Sequence, residues 1–460
     1  MHCFHAIAVH RCARGSRLPS RAHGRVARID MPGNRRRGVA TRTFRGLAAA
    51  VALAAVPTMG AGADAWQWSS QGLLDVRGRV SEANATRLVP EPERVGHDRR
   101  FLAAAAAGGL RAWNGPVTVT GAGRMLARTH PRESERAVRL HVDELHAEFA
   151  ATHEHFLFAG RRHIVHGRSL GVNPLDVAVD PLDLDQALDT ERRRAEVEGQ
   201  DMLGFESLPG DRFTLTGYWA PGERALLAGA FTMPRWNADL TVLAFDDDER
   251  PGAGLSMSRT LGEALLAYAD VVVRRGRDRT VIRSDRGPDA APGAFLVEEG
   301  GASRFFAQSS VGLGYTLEVG ATFNLEYYFD ANGYSDREWG LVTGLIADND
   351  GNRGDVRLRE LATGNLLLLS RPLRRLTLRR HYGFFRAQHP GLFGRDLAAE
   401  MTVFHNLADR TGSLGLRLER ELGPNVLVGI EGRWLYGGDL DEFALRTARR
   451  SGSVHVTVNF

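Results

Sequence analysis

In the stretch HVDELHAEFA, Glu144, His146 and Glu148 recur at every second residue. That spacing places all three side chains on one face of a strand. After a short break, Arg161 and His163 share a face of the next segment, and Arg162 stands opposite. Carboxylates, imidazoles and guanidiniums facing one another can select passing ions, hold a metal or neutralise each other. Period-two spacing in any polar-faced strand generates His-x-Glu pairs, so no metal is assigned. A second basic face runs through Arg375, Thr377, Arg379 and His381, and Arg417 and Arg433 follow in later segments. Rows of guanidinium suit anionic sugars or carboxylates, because each group donates paired hydrogen bonds to an oxyanion. Arg380 falls on the opposite, apolar side of that segment.

Two further groupings have chemical potential. The run Asp348-Asn349-Asp350-Gly351-Asn352 begins like a calcium loop, but Arg353 occupies the sixth position, where such a loop needs glycine. A solvated turn is the plainer reading. His405, Asp409 and Ser413 contain the residue types of a hydrolytic triad. No Gly-x-Ser-x-Gly, His-Glu-x-x-His or phosphate-cradling loop is present. The sequence gives no reason to expect a cofactor.

The elements that must carry these residues read as strands. The chain ends SGSVHVTVNF, with Val454, Val456, Val458 and Phe460 on one face and His455, Thr457 and Asn459 on the other. Val311, Leu313, Tyr315 and Leu317 repeat the pattern, as do Phe323, Leu325, Tyr327 and Phe329, Leu414, Leu416 and Leu418, and Val426 to Tyr436. Their alternate faces carry full charges and glycines. A packed sandwich core rejects unpaired charge, whereas a water-filled lumen accepts it. Aromatics such as Trp66, Trp68, Trp113, Trp219, Tyr382 and Tyr436 sit near segment ends, as in interfacial girdles.

Eighteen strands follow from this pattern, sixteen being the alternative count: 66–80, 100–113, 116–128, 139–150, 155–166, 200–207, 211–219, 223–232, 238–246, 252–259, 262–275, 303–318, 322–330, 374–385, 396–406, 412–420, 425–436 and 452–460. The predicted fold is all-β, a single antiparallel transmembrane β-barrel with long extracellular loops. The long connections, 81–99, 167–199, 276–302 and 331–373, all fall on one side. The run Leu366–Leu369 resembles a strand, but counting it would put the long 331–361 segment on the opposite side, so 355–369 is assigned to an outer loop of helical character. The 167–199 loop, with Asp176, Asp180, Asp183 and Asp185 ahead of Arg192-Arg193-Arg194, is the candidate constriction.

The N-terminus has the layout of a secretory signal. Arg35, Arg36, Arg37, Arg42 and Arg45 precede the apolar run 46–57, and Ala63-Asp64-Ala65 is a small-x-small cleavage site. Residues 1–65 are read as a leader with its true start at Met31 and cleavage after Ala65, and 66–460 as the barrel. Both cysteines, Cys3 and Cys12, fall in the leader, so no disulfide framework is expected. All 59 basic residues are arginine. Eleven of them and two of the 55 acids precede Trp66, which leaves 48 basic against 53 acidic residues in the barrel. The basic balance belongs to the leader, and nucleic acid is not an expected partner.

The order of parts resembles the porin-like outer-membrane barrels of proteobacteria, including the alginate-export group. The resemblance rests on DELHAEF followed by AGRRHIVHGRSLGVNPLD, on VGLGYTLEVGATFNLEYYFDANGYS, LRRHYGFF and FHNLADRTGSLGL, and on the terminal Phe460. The chain departs from that pattern at Arg162 and His166, where Gln and Trp are usual. The resemblance implies an eighteen-stranded channel in the cell outer membrane. It would lie among lipid and lipopolysaccharide, inserted by the barrel-assembly machinery with Phe460 as the signal. The expected activity is passive diffusion of small hydrophilic, including anionic, solutes, without catalysis. Polysaccharide export and outer-membrane lipid hydrolysis are the alternatives. The expected pore-lining residues are Glu144, His146, Glu148, Arg161, His163, Arg375, Arg379, Arg417 and Arg433.

Overall fold

The computed structural model describes residues 66–83, 85–92, 100–128, 138–177, 199–221, 224–247, 249–277, 279–284, 293–298, 304–392 and 396–460. The expected leader, with Met31 and Ala65, lies outside them.

Twenty strands occur among the described residues. The first eleven are β1 (Gln67–Ala83), β2 (Arg100–Asn114), β3 (Val117–Arg128), β4 (Val138–Ala150), β5 (His155–Arg162), β6 (Gln200–Ser207), β7 (Phe213–Ala220), β8 (Arg224–Met233), β9 (Ala238–Asp247), β10 (Pro251–Leu261) and β11 (Leu265–Arg275). A hairpin of β12 (Val281–Ser284) and β13 (Phe295–Glu298) stands apart from the main sheet. The rest are β14 (Phe305–Thr316), β15 (Thr322–Asp330), β16 (His381–His389), β17 (Leu397–Asn406), β18 (Thr411–Glu421), β19 (Val426–Tyr436) and β20 (Ala448–Asn459).

Eighteen of these pair antiparallel with their neighbours in one sheet, and β20 pairs back onto β1, placing Val456 opposite Val76. At the seam, the Gly72 and Phe460 backbones exchange hydrogen bonds of 2.9 and 3.0 Å. Closure leaves no unpaired edge, which is what hydrocarbon demands of a sheet. Leu140, Leu145, Leu313, Leu325, Ile430 and Val454 stand exposed on the outside, far beyond what a water-facing surface tolerates. Among the described residues no helix is long and apolar enough to cross a membrane. The crossing is made by strands.

Long connections gather at one rim. There α1 (Asp336–Asn352) and α2 (Arg359–Ser370) form a small apolar core with the β12–β13 hairpin and the loops after β1 and β19. Trp339, Val342, Ile346, Leu366, Leu369, Leu88, Ile282 and Leu445 are buried in it. Ser335 and Glu338 close a capping box at the start of α1. The expected helical loop at 355–369 is thus present, with a second helix before it. Two differences from expectation bear on the site. β5 ends at Arg162, so His163 lies beyond it, and β16 begins only at His381, so residues 375–380 approach it as irregular chain beneath the cap.

Candidate lumen site

Charged side chains line an arc of the inner wall from β16 through β20 to β1. Arg386 Nε donates to Glu400 Oε2 at 2.9 Å. Arg417 reaches the other oxygen of Glu400 at 3.1 Å and Glu419 at 3.6 Å. His455 Nε2 lies 2.9 Å from Glu419 Oε1 across the intervening strand. That strand carries Gly429, where a Cβ would sit 2.3 Å from the His455 ring. Glycine here is a matter of space. Arg77 lies 3.8 Å from both Asp75 and Glu431, and Thr457 Oγ1 donates to Asp75 at 2.8 Å. Glu400 faces Arg417 in the β17–β18 register, so neighbouring strands supply opposite charges. Pairing is what allows ions to stay on a partly desolvated wall.

The arc continues on β3 to β6. A bulge in β4 inserts Asp143 between the residues opposite Gly123 and Ala122, and the alternation skips one residue. Asp143 reaches Arg124 at 3.2 Å on the same inner side as Glu144, His146 and Glu148. Arg162 joins them, 3.8 Å from Glu148 and 3.2 Å from Glu206, with its guanidinium 4.5 Å from the Phe158 ring.

Arg161 corrects the sequence reading. It lies opposite Leu145 on the outer face and binds Asp201 with both Nε and Nη2, at 3.0 and 3.1 Å. The reason is apolar residues on the inner face of β5. Phe158 points inward because Leu175, from the loop between β5 and β6, packs on it with Met202, Leu243 and Val272. An apolar pair of faces hides the inward side from any alternation count.

That loop enters the lumen. Its described part, 163–177, carries His163, His166 and Asp176, while Asp180, Asp183 and Asp185 lie outside the described residues. Burial holds the His166 imidazole below its usual pKa. Leu170 and Val172 meet an aromatic patch of Tyr328, Tyr382, Phe384, Phe404 and Phe443.

No protein-family model and no curated protein matches the chain. Among solved structures, the outer membrane protein opdK of Pseudomonas aeruginosa is 10% identical, over 85% of this chain and 98% of that one, with a TM-score of 0.50. This is the porin fold. A triple mutant of the Rhodopseudomonas blastica porin is likewise 10% identical, over 86% of this chain and all of that one, at a TM-score of 0.41. The alginate-export resemblance gains nothing from these structures. A closed barrel with a lipid-compatible exterior is the architecture of outer-membrane proteins.

Other expected site residues lie apart from the lumen arc. Arg379 is buried under the cap, where Nε donates to the Tyr334 carbonyl at 3.2 Å, Nη2 pairs with Asp336 and the guanidinium faces Trp339. Arg380 Nε likewise donates to the Gly333 carbonyl at 3.1 Å. Arg375 is half-buried beside the cap; burial lowers its pKa and Asp330 opposes that shift. Of the expected arginine row, only Arg417 and Arg433 stay on strand faces turned to the lumen. His405 points outward and bonds Tyr436 Oη at 2.9 Å, whereas Ser413 is fully buried opposite Phe404 on the inner face. Residues on opposite faces of one wall cannot form a nucleophile–base pair. Asp348 and Asp350 lie within α1, and among the described residues no three acidic, His or Cys side chains gather as a metal site. The sequence reading missed Asp75, Arg77, Arg124, Asp143, Glu206, Arg386 and Glu400, and left Glu419 and Glu431 out of the pore-lining set although it put them on inner faces. Their only signal was the polar half of each strand's alternation.

Proposed function

We propose that the chain is an outer-membrane channel through which small hydrophilic solutes diffuse passively. The observation that carries this reading is the charged arc itself. Guanidiniums, imidazoles and carboxylates would be costly in a sealed apolar interior, whereas water beside them removes that cost. Of the arginines expected to form an anion ladder, Arg375 and Arg379 lie at the cap and Arg417 is matched with carboxylates. The wall therefore favours hydrophilic solutes broadly over anions alone. Glu144, His146 and Glu148 are proposed to contribute to its ion preference, since charges lining a pore set selectivity.

Purified protein inserted in planar bilayers should give discrete conductance steps. Replacing Glu144 and Glu148 together by Gln should shift the reversal potential in a salt gradient toward anions. A barrel that shows the mobility shift of folded protein on unboiled gels and never conducts would overturn the channel reading.

A further inference from the structure

The inserted loop is fixed to the far wall by its own backbone. Arg168 and Ser169 donate their N–H groups to Asp270 Oδ2 at 2.9 and 2.8 Å, and Ser169 Oγ adds a third bond at 2.6 Å. The next two N–H groups, of Leu170 and Gly171, go to the two oxygens of Glu326 at 2.6 and 2.8 Å. Tyr268 Oη donates to the same carboxylate at 2.5 Å. Four successive amides thus meet two carboxylates, on β11 and β15.

The reach of this contact is the width of the barrel. The loop leaves β5, and Gly171 lies against Phe384 of β16; eight strands separate β5 from β16 in either direction round the ring. A Cβ at Gly171 would stand 2.8 Å from Phe384 Cγ and 3.0 Å from Glu326 Oε2, so the backbone approaches as closely as it can. The loop then returns, and Leu175 packs so tightly on Gly254 of β10 that a Cβ there would come within 2.4 Å.

Asp270 and Glu326 have almost no exposed surface. Neither belongs to the ion pairs of the lumen arc. A buried carboxylate is costly unless donors satisfy it, and a buried amide is equally costly without an acceptor. Each requirement answers the other only when the loop is in place. We propose that Asp270 and Glu326 are positioning residues that clamp the loop across the lumen and so set the cross-section of the pore. This rests on the channel reading above.

The test uses the full-length protein with Glu326→Gln, Glu326→Leu and Asp270→Ala. A carboxylate accepts both loop amides, whereas glutamine offers one oxygen and turns an NH2 toward the other. Loop position is read by Val172→Cys with a charged maleimide, since Cys3 and Cys12 are the only native cysteines and precede the barrel. Ser453→Cys on β20 serves as a lumen control. Losing these charge-assisted bonds should raise labelling at position 172 about tenfold, with an intermediate rise for Glu326→Gln, and leave position 453 unchanged. Conductance should rise in the same order. Gly171→Leu tests the contact from the loop side with the wall intact, should a wall variant fail to fold.

Unchanged labelling and conductance in folded variants of a conducting wild type would overturn the clamp. A silent wild type whose variants conduct would support the clamp and remove the channel reading, because the loop would then be a plug.

Discussion

Glu442 is fully buried in the loop between β19 and β20, yet it is acidic. Its carboxylate accepts from the Leu378 N–H at 2.8 Å, Tyr382 Oη at 2.7 Å and Asn406 Nδ2 at 2.6 Å. Burial still dominates and lifts its pKa to about 7, with Arg446 and the donors opposing and Asp409 assisting. The folded state therefore keeps a proton that the unfolded chain gives up near pH 4.5. Stability tied to this group is complete below that pH, declines as pH rises to about 7, and is flat beyond. The shift corresponds to at most about 3 kcal/mol. Glu442→Gln should remove this part of the decline, so unfolding midpoints of wild type and variant, compared between pH 4.5 and 7.5, should diverge as pH rises. A parallel pair of curves would contradict the assignment. Nothing in the sequence marks this residue, which shares its turn with Asp439 and Asp441. Only the tertiary contact with Tyr382 and Asn406 distinguishes the third acid from the other two.

Strands were legible where one face met lipid and the other met water. β18 and β19 match their expected bounds to within a residue or two, and β20 keeps its expected faces, because Val454 and His455 experience different solvents. Legibility failed where that contrast fails. The inner face of β5 is apolar through Phe158, so Arg161 was assigned to the wrong side, and the Leu366–Leu369 run carries a helix face into the cap that sequence alone shares with a strand. The contrast itself is testable. Ile430 stands exposed outside and opposes Val454, whereas Ser453 is turned inward opposite Glu431. Ile430→Arg should cost about 2–4 kcal/mol if near mid-membrane, and Ser453→Arg much less, measured by urea titration in lipid vesicles. Equal costs would mean the faces are exchanged. The seam offers a second test. The Phe460 ring occupies the space over Gly72, where a Cβ would lie 2.4 Å from Cε2, and its backbone closes the ring. Deleting Phe460 should lower the folded fraction recovered from the outer membrane. Wild-type recovery would show that closure and assembly draw on other contacts.

At the scale of the whole molecule the lumen has two unlike sectors. An apolar cluster on β5 to β11, with Phe158, Leu226, Leu243 and Val272, packs against Leu175 of the inserted loop, while charged and paired residues line the wall from β16 round to β6. The sequence indicated a loop long enough to constrict the barrel, but its seat could not be read, since residues 168–171 find their acceptors about a hundred positions later, at Asp270, and farther still at Glu326. The charged sector has its own consequence for transport. Glu400 is shared by Arg386 and Arg417, each within about 3 Å. Glu400→Gln removes the carboxylate that Arg386 and Arg417 share. Arg417→Gln is milder, because Arg386 still holds Glu400 and His455 still faces Glu419. The first variant should therefore move the reversal potential toward anions by more than the second moves it toward cations. In symmetric 1 M salt the accompanying change in conductance should shrink, because the Debye length there is only ~3 Å. Selectivity that responds to neither variant would place the narrowest part of the path away from β16–β18.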